Sequence, residues 1–200
     1  MPYGNNRELI TLVEAISGSG NYIPLIVIIT AKTMLEKWCD WLPASYLIYT
    51  TESGYSTDIT CLNYIKHFYK ITKNRVKGTW ILLLMDGYDS YHTYEFLLYV
   101  ERKKIKIYAL SSHTLHFLQP LDVGCFQLIK WHYGQALNKL AWYSGHKFNK
   151  TDFLTALPYI RQRTFTRSII AVSFRRTGII LFNSKKVLLY LCFLENVNPN

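Results

Sequence analysis

The run Thr79 to Met85, TWILLLM, constrains the fold of this chain more than any other segment. It is apolar without interruption after Thr79, too short for a buried helix, and stops at Asp86-Gly87, so it reads as a strand buried on both faces. On either side the hydrophobic period changes. Upstream, Ser56, Thr57 and Asp58 offer N-caps for a helix with Ile59, Leu62, Ile65, Phe68 and Tyr69 on its apolar side, followed by a basic loop from Lys70 to Lys77. Downstream, Thr93 to Lys104 reads as a helix and Ile105 to Leu110 as a strand. This β-α-β alternation predicts an α/β fold with helices packed on a mixed sheet.

The rest of the chain extends that pattern. Residues 7–17 and 22–30 are β-rich and flank Gly18-Ser19-Gly20-Asn21, which predicts a hairpin. A loop holding Trp38, Trp41 and Pro43 leads to a short strand, Tyr46 to Thr50, and Gly54 ends it. After Pro120 a long amphipathic helix carries Val123, Phe126, Ile129, Tyr133, Leu137 and Leu140 on one face. Ser144 to Lys150 reads as a polar turn, residues 151–176 as two further helices, and the last five residues, NVNPN, as a disordered tail.

Composition sets the class. Half of the 200 residues are apolar, enough for one ordinary domain with a small C-terminal appendage. The formal net charge of +10 favours a polyanionic partner, either nucleic acid or an acidic membrane surface, and charge alone does not separate the two. The longest apolar runs, Tyr22 to Ala31 and Val187 to Leu194, fall short of the roughly 18 residues of a membrane span, and the N-terminus lacks an apolar signal region. Cys39, Cys61, Cys125 and Cys192 are scattered with no CxxC pair, as free thiols in a reducing compartment would be. A cytosolic or nuclear protein follows. Sixteen tyrosines suit either packing or base stacking. There is no helix-turn-helix pattern, so a dedicated DNA-reading module is not expected within the chain.

Two acids stand where chemistry is expected. Asp86 ends a buried strand, and ligands of open α/β sheets gather at the carboxyl ends of strands, although Asp-Gly is also a common turn. Asp122 opens the long helix, where backbone N–H groups favour a carboxylate, although Asp at a helix start is usually a cap. His113 and His116 have a spacing seen in metal sites but no evident third ligand. Basic groups able to touch DNA phosphates are Lys73, Arg75 and Lys77 before the Asp86 strand, and Arg102, Lys103 and Lys104 after the next helix. Arg161, Arg163, Arg167, Arg175 and Arg176 form a further set, and any such run could equally be a solvated face.

The wording around the two acids resembles one family. TWILLLMDGYDSYHT, then KIYALSSHTLHFLQPLDVGCFQLIKWHYGQAL, is similar to the pogo/Tigger branch of the DDE superfamily endonucleases, and LQPLDVGCF (Leu118 to Phe126) is the most specific element. GNNRELITLVEAISGSGNYIPLIVI and FRRTGIILFNSKKVL match in the same order, so the resemblance runs over about residues 4–188. It implies a ribonuclease H-like fold in which three acids hold two divalent ions, Mg²⁺ or Mn²⁺, for attack on DNA phosphodiesters. Asp86 then corresponds to the second acid and Asp122 to the third, both catalytic and metal-binding. The first acid lies on the first, central strand, upstream of the GNNRELITL segment, and Met1 stands three residues before that segment. The resemblance therefore implies a ribonuclease H-like mixed sheet with flanking helices that lacks its first, central strand, plus C-terminal helices. Residues 1–145 would be the partial catalytic domain and 146–200 its helical extension and tail. Glu8 and Glu14 are the acids nearest in sequence to the gap.

Departures from the family pattern cluster around the acids. Tyr88, Asp89, Ser90 and Tyr91 follow Asp86 where the family has Gly-His, a small residue, Ser and His. Ser111, Ser112 and Leu115 stand for Pro, Pro and Ser, and Leu181 for Pro. Each change is one C→T or G→A transition away, as in a decayed copy of a transposable element. The expectation is an inactive nuclear transposase fragment that binds DNA, with self-association open. The rival expectations are an active transposase whose start lies upstream, and a host-recruited DNA-binding protein that kept the fold and lost the chemistry.

Overall fold

Ile26–Thr30 is the strand on which the rest of the structure is built. In the computed structural model, which describes residues 9–86, 93–110, 115–144 and 149–188, this strand (β2) pairs antiparallel with β1 (Ile10–Val13) and parallel with β3 (Leu47–Thr51). The hairpin over Gly18–Asn21 is present: Ile16 bridges Tyr22, and Gly20 takes a left-handed φ of 84° that favours glycine. Period-two alternation divides β2 between two cores. Ile26 and Ile28 face one cluster, and Leu25, Val27 and Ile29 face the other.

The second sheet has two parallel strands, β4 (Ile81–Asp86) and β5 (Ile105–Leu110), in register from Ile81–Ile105 to Asp86–Leu110. Between the sheets in sequence lies α1 (Asp58–Thr72), started by Thr57 and Thr60 in a reciprocal capping box. Helix α2 (Tyr94–Arg102), capped by Thr93, links β4 to β5. Cys61, Tyr64, Ile65 and Phe68 of α1 and Phe96 and Val100 of α2 pack against both sheets, meeting Val13, Ile26 and Ile28 on one side and Ile81, Leu83, Ile105 and Ile107 on the other. The two sheets thus share one helical layer, yet no ladder joins β1 to β4 among the described residues.

Three expectations need correction. Ile59 is 72% exposed; the buried face of α1 runs through Cys61, Tyr64, Ile65 and Phe68 instead. No residue of strand β4 is fully buried; Leu82 is 65% exposed, with Trp80 and Tyr108 exposed nearby. An uninterrupted apolar run cannot reveal how well its faces are covered. The long helix after Pro120 is not regular: a short helix α3 (Leu115–Leu118) leads into a π-helical turn, Leu121–Cys125, before α4 (Phe126–Ser144).

The two further helices are α5 (Lys150–Thr164) and α6 (Arg167–Arg176), with N-caps Asn149 and Thr166. Leu154 and Leu157 of α5 cover the second face of β2 together with Trp38 and Leu42. Helix α6 packs through Ile170 and Phe174 on Leu121, Cys125 and Ile129. A buried ion pair ties α5 to β1: Arg161 donates from Nε to Glu14 Oε1 at 2.7 Å and from Nη2 to Glu14 Oε2 at 2.8 Å. The guanidinium also donates to the Ile23 carbonyl and lies over the rings of Tyr22, Tyr46 and Phe165. Burial pushes the Glu14 carboxyl up, and Arg161 opposes that. Removing either partner of such a pair costs about 3–5 kcal/mol.

Candidate active site

Asp86 is the last residue of β4, opposite Leu110 of β5, so the sheet register brings it to the strand end from which the chain passes on toward α3 and the π turn. Asp122 sits in that turn. Burial pushes its carboxyl above the usual carboxylate range; Lys130 draws it down, Asp86 raises it, and His116 draws it down. Asp86 acts on it as a like charge does. The charge of Asp86 also acts on Cys61 of α1, whose thiol is raised mainly by burial.

Asp122 is not a helix cap. Pro120 precedes the π turn in helical conformation and makes no side-chain cap, and Asp122 lies inside a nearly continuous helical run. A capping or dipole-stabilised carboxylate would be pulled down, whereas this one is pushed up by burial. π turns recur at functional sites because the extra residue re-aims side chains. Gly124 permits this one: a Cβ there would meet Ser173 of α6 at 1.8 Å (Oγ) and 2.9 Å (Cβ). Hydrophobic periodicity does not encode a one-residue slip of this kind.

The donor set suits a hard divalent cation in kind, since Asp86 and Asp122 offer carboxylate oxygens. Among the described residues no third His, Cys, Asp or Glu joins them to form a metal-holding group. Glu14, one of the two acids nearest the expected gap, is committed to Arg161. His116 lies near Asp122, stacked edge-on against Phe117 at 4.8 Å. Glu8, Tyr88, Asp89, Ser90, Tyr91, Ser111, Ser112, His113, Cys192 and the tail lie outside the described residues. Leu181 is exposed with φ of 56°, a conformation closed to the proline that the resemblance would put there.

The basic residues fall elsewhere. Lys73 and Arg75 follow α1 in a 3₁₀ turn with Lys77 just beyond, and Arg102, Lys103 and Lys104 end α2. All six are exposed. The Lys104 carbonyl accepts from the Ile81 amide at 3.0 Å, so the second trio sits at the opposite end of β4 from Asp86, about 16 Å away along the strand. The Lys103 ammonium lies over the Tyr69 ring at 5.1 Å. Arg161 is removed from the DNA-contact candidates, being 4% exposed and held by Glu14; Arg163, Arg167, Arg175 and Arg176 remain on helices α5 and α6.

Among the described residues no helix is long and apolar enough to cross a membrane. No solved structure matches this chain. A curated relative, described as the MFS-type transporter clz9 of Cochliobolus lunatus, is 30% identical over 176 residues. That match takes in 88% of this chain, which spans about a fifth (19%) of the relative's length. The family model described as DDE superfamily endonuclease matches residues 6–174 and so takes in β1 through most of α6, with both Asp86 and Asp122. By that match the chain belongs to the DDE superfamily endonucleases.

Proposed function

We propose that this chain is the catalytic-fold portion of a pogo/Tigger-type DNA transposase, acting in the nucleus, that binds DNA but does not cut it unaided. The observation that carries the reading is the convergence of Asp86 and Asp122, from β4 and the π turn, within a family of DNA-cutting enzymes. Asp86 and Asp122 would hold the divalent ion, Mg²⁺ or Mn²⁺, which when bound supplies a Lewis acid and an activated water. A cation between two carboxylates relieves their repulsion, which supports this assignment. Two carboxylates fall short of the charge and near-octahedral oxygen set that Mg²⁺ demands, which supports the absence of independent cutting.

The ribonuclease H-like reading also accounts for the divided sheet. It places one further strand between β1 and β4, whose outer edges have no ladder among the described residues while both strands pack on α1. In the resembled family that strand carries the first acid. Residues 1–145 then form the partial catalytic domain, with 146–200 its extension; the packing of Leu154 and Leu157 on β2 supports one folding unit. The transporter description belongs to a relative most of whose length lies outside the matched stretch.

The test is purified chain on supercoiled plasmid with Mg²⁺ or Mn²⁺. Salt-sensitive binding without nicked product is expected. Metal-dependent nicking that disappears with Asp86→Asn would overturn the inactive reading, and absence of DNA binding at low salt would overturn the DNA-binding one.

A further inference from the structure

Helix α6 packs on the π turn from which α4 continues, and neither helix carries an Asp or Glu, while Arg167, Arg175 and Arg176 stand on α6. The approach is close where Gly124 has no side chain and Ser173 faces it. Beside that contact lies a groove of about 400 Å³, edged by Gln127, Leu128 and Trp131 of α4 and by Ile169, Val172 and Arg176 of α6. Residues three or four apart share a helix face, so Leu128 and Trp131 line it as one pair and Val172 and Arg176 as another. Asp122 precedes Gly124 by two residues, roughly half a turn, so the groove opens away from Asp122. Trp131 is 59% exposed and Val172 47%. Among the described residues Trp131 lies parallel to no other ring, and the side chain of Arg176 has no hydrogen-bond or ion-pair partner.

We propose that this groove binds an unpaired nucleotide of a DNA strand, at a site separate from the Asp86 and Asp122 pair. It rests on the DNA-binding reading above and adds to it a place for single-stranded DNA. The indole of Trp131 stacks on the base, while Leu128 and Val172 keep water from it. The Gln127 amide both donates and accepts, so it meets the polar edge of any base. Arg176 takes the adjoining phosphate in a charge-assisted hydrogen bond. The volume falls within the roughly 300–1,000 Å³ of small-ligand sites. In a duplex both faces of a base are covered by its neighbours, so only an unpaired base reaches the indole. A second copy of this chain fits poorly, since a formal net charge of +10 sets like charge against an acid-free rim.

The test measures binding of the purified 200-residue chain to an oligo-dT strand and to a duplex of equal length, by anisotropy across a KCl series. Trp131→Ala is expected to weaken binding of the single strand about tenfold, while duplex affinity stays within about twofold. Trp131→Phe keeps most of the single-strand affinity, because it keeps a stacking ring. Arg176→Gln is expected to lower the single-strand slope of log K against log salt by about 0.7. Both side chains are exposed, so neither change threatens the fold. Unchanged single-strand binding by Trp131→Ala overturns the proposal and leaves the groove to an apolar helix of a protein partner. An equal loss on both probes puts Trp131 on paired DNA and also overturns it. Wild-type chain that binds neither probe overturns the DNA-binding reading itself, a different outcome from a wild type that binds both and a Trp131→Ala variant that matches it.

Discussion

At the residue scale, Asp122 is a carboxylate whose surroundings oppose its charge. Its carboxyl is raised above its unfolded value, chiefly by burial. A raised folded value means the folded state holds its proton more tightly, so its stabilising contribution is full below about pH 4 and is lost as pH rises through the raised value. At neutral pH the charged group is a cost. Asp122→Asn is therefore expected to raise Tm by about 2 °C at pH 7, with the gain fading as pH falls below about 4. Thermal melts of both proteins across pH check this; a lower Tm at pH 7 would show that the attraction of Lys130 outweighs burial. The placement of Asp86 at a strand end and of Asp122 near the start of a helical run was legible in the sequence. The environment of Asp122 was not, because burial and the reach of Lys130 depend on how the helix is wound. Arg161 shows the opposite failure: it read as one charge among several and is instead locked to Glu14 across the core.

At the element scale, Asp122 sits in the π turn, and the close seating of α6 on that turn depends on Gly124. Ser173 of α6 approaches so closely that a Cβ at position 124 has no room, and Ser173 Oγ is engaged with the Ile169 carbonyl at 2.8 Å. Gly124→Ala is expected to cost about 2 kcal/mol through overpacking, a fall in Tm of about 4–8 °C for a chain of this size. Adding Ser173→Gly removes the obstructing atoms and is expected to restore most of that loss. A Gly124→Ala protein that melts like wild type would mean that α6 yields freely and does not hold the turn. Elements with local signals were legible: the capping residue Thr57, the hairpin glycines and the β4 and β5 runs all appear where their residues put them. The π turn was not, since it arises from packing against a helix some 45 residues later, and no local preference announces it.

At the scale of the whole molecule, the α/β class follows from the alternation of periods, whereas the division of the sheet follows from which edges find partners. Strand β2 is enclosed on both faces and paired on both edges, with Ile26 to Ile29 at most 1% exposed. Strand β4 has no fully buried residue and is paired only with β5 among the described residues, and Leu82, Trp80 and Tyr108 are exposed. Local opening costs least where few apolar contacts are lost, so the two sheets should not open together. Backbone amides of Val27 to Ile29 are expected to exchange with solvent at least ~10-fold more slowly than those of Leu83 to Met85. The helical layer works against this difference, because Ile65 and Phe96 pack on both sheets and could make them one cooperative unit. Hydrogen exchange read strand by strand separates the two outcomes. Equal protection of β2 and β4 would mean that the shared helices, rather than strand pairing, hold Asp86 in place.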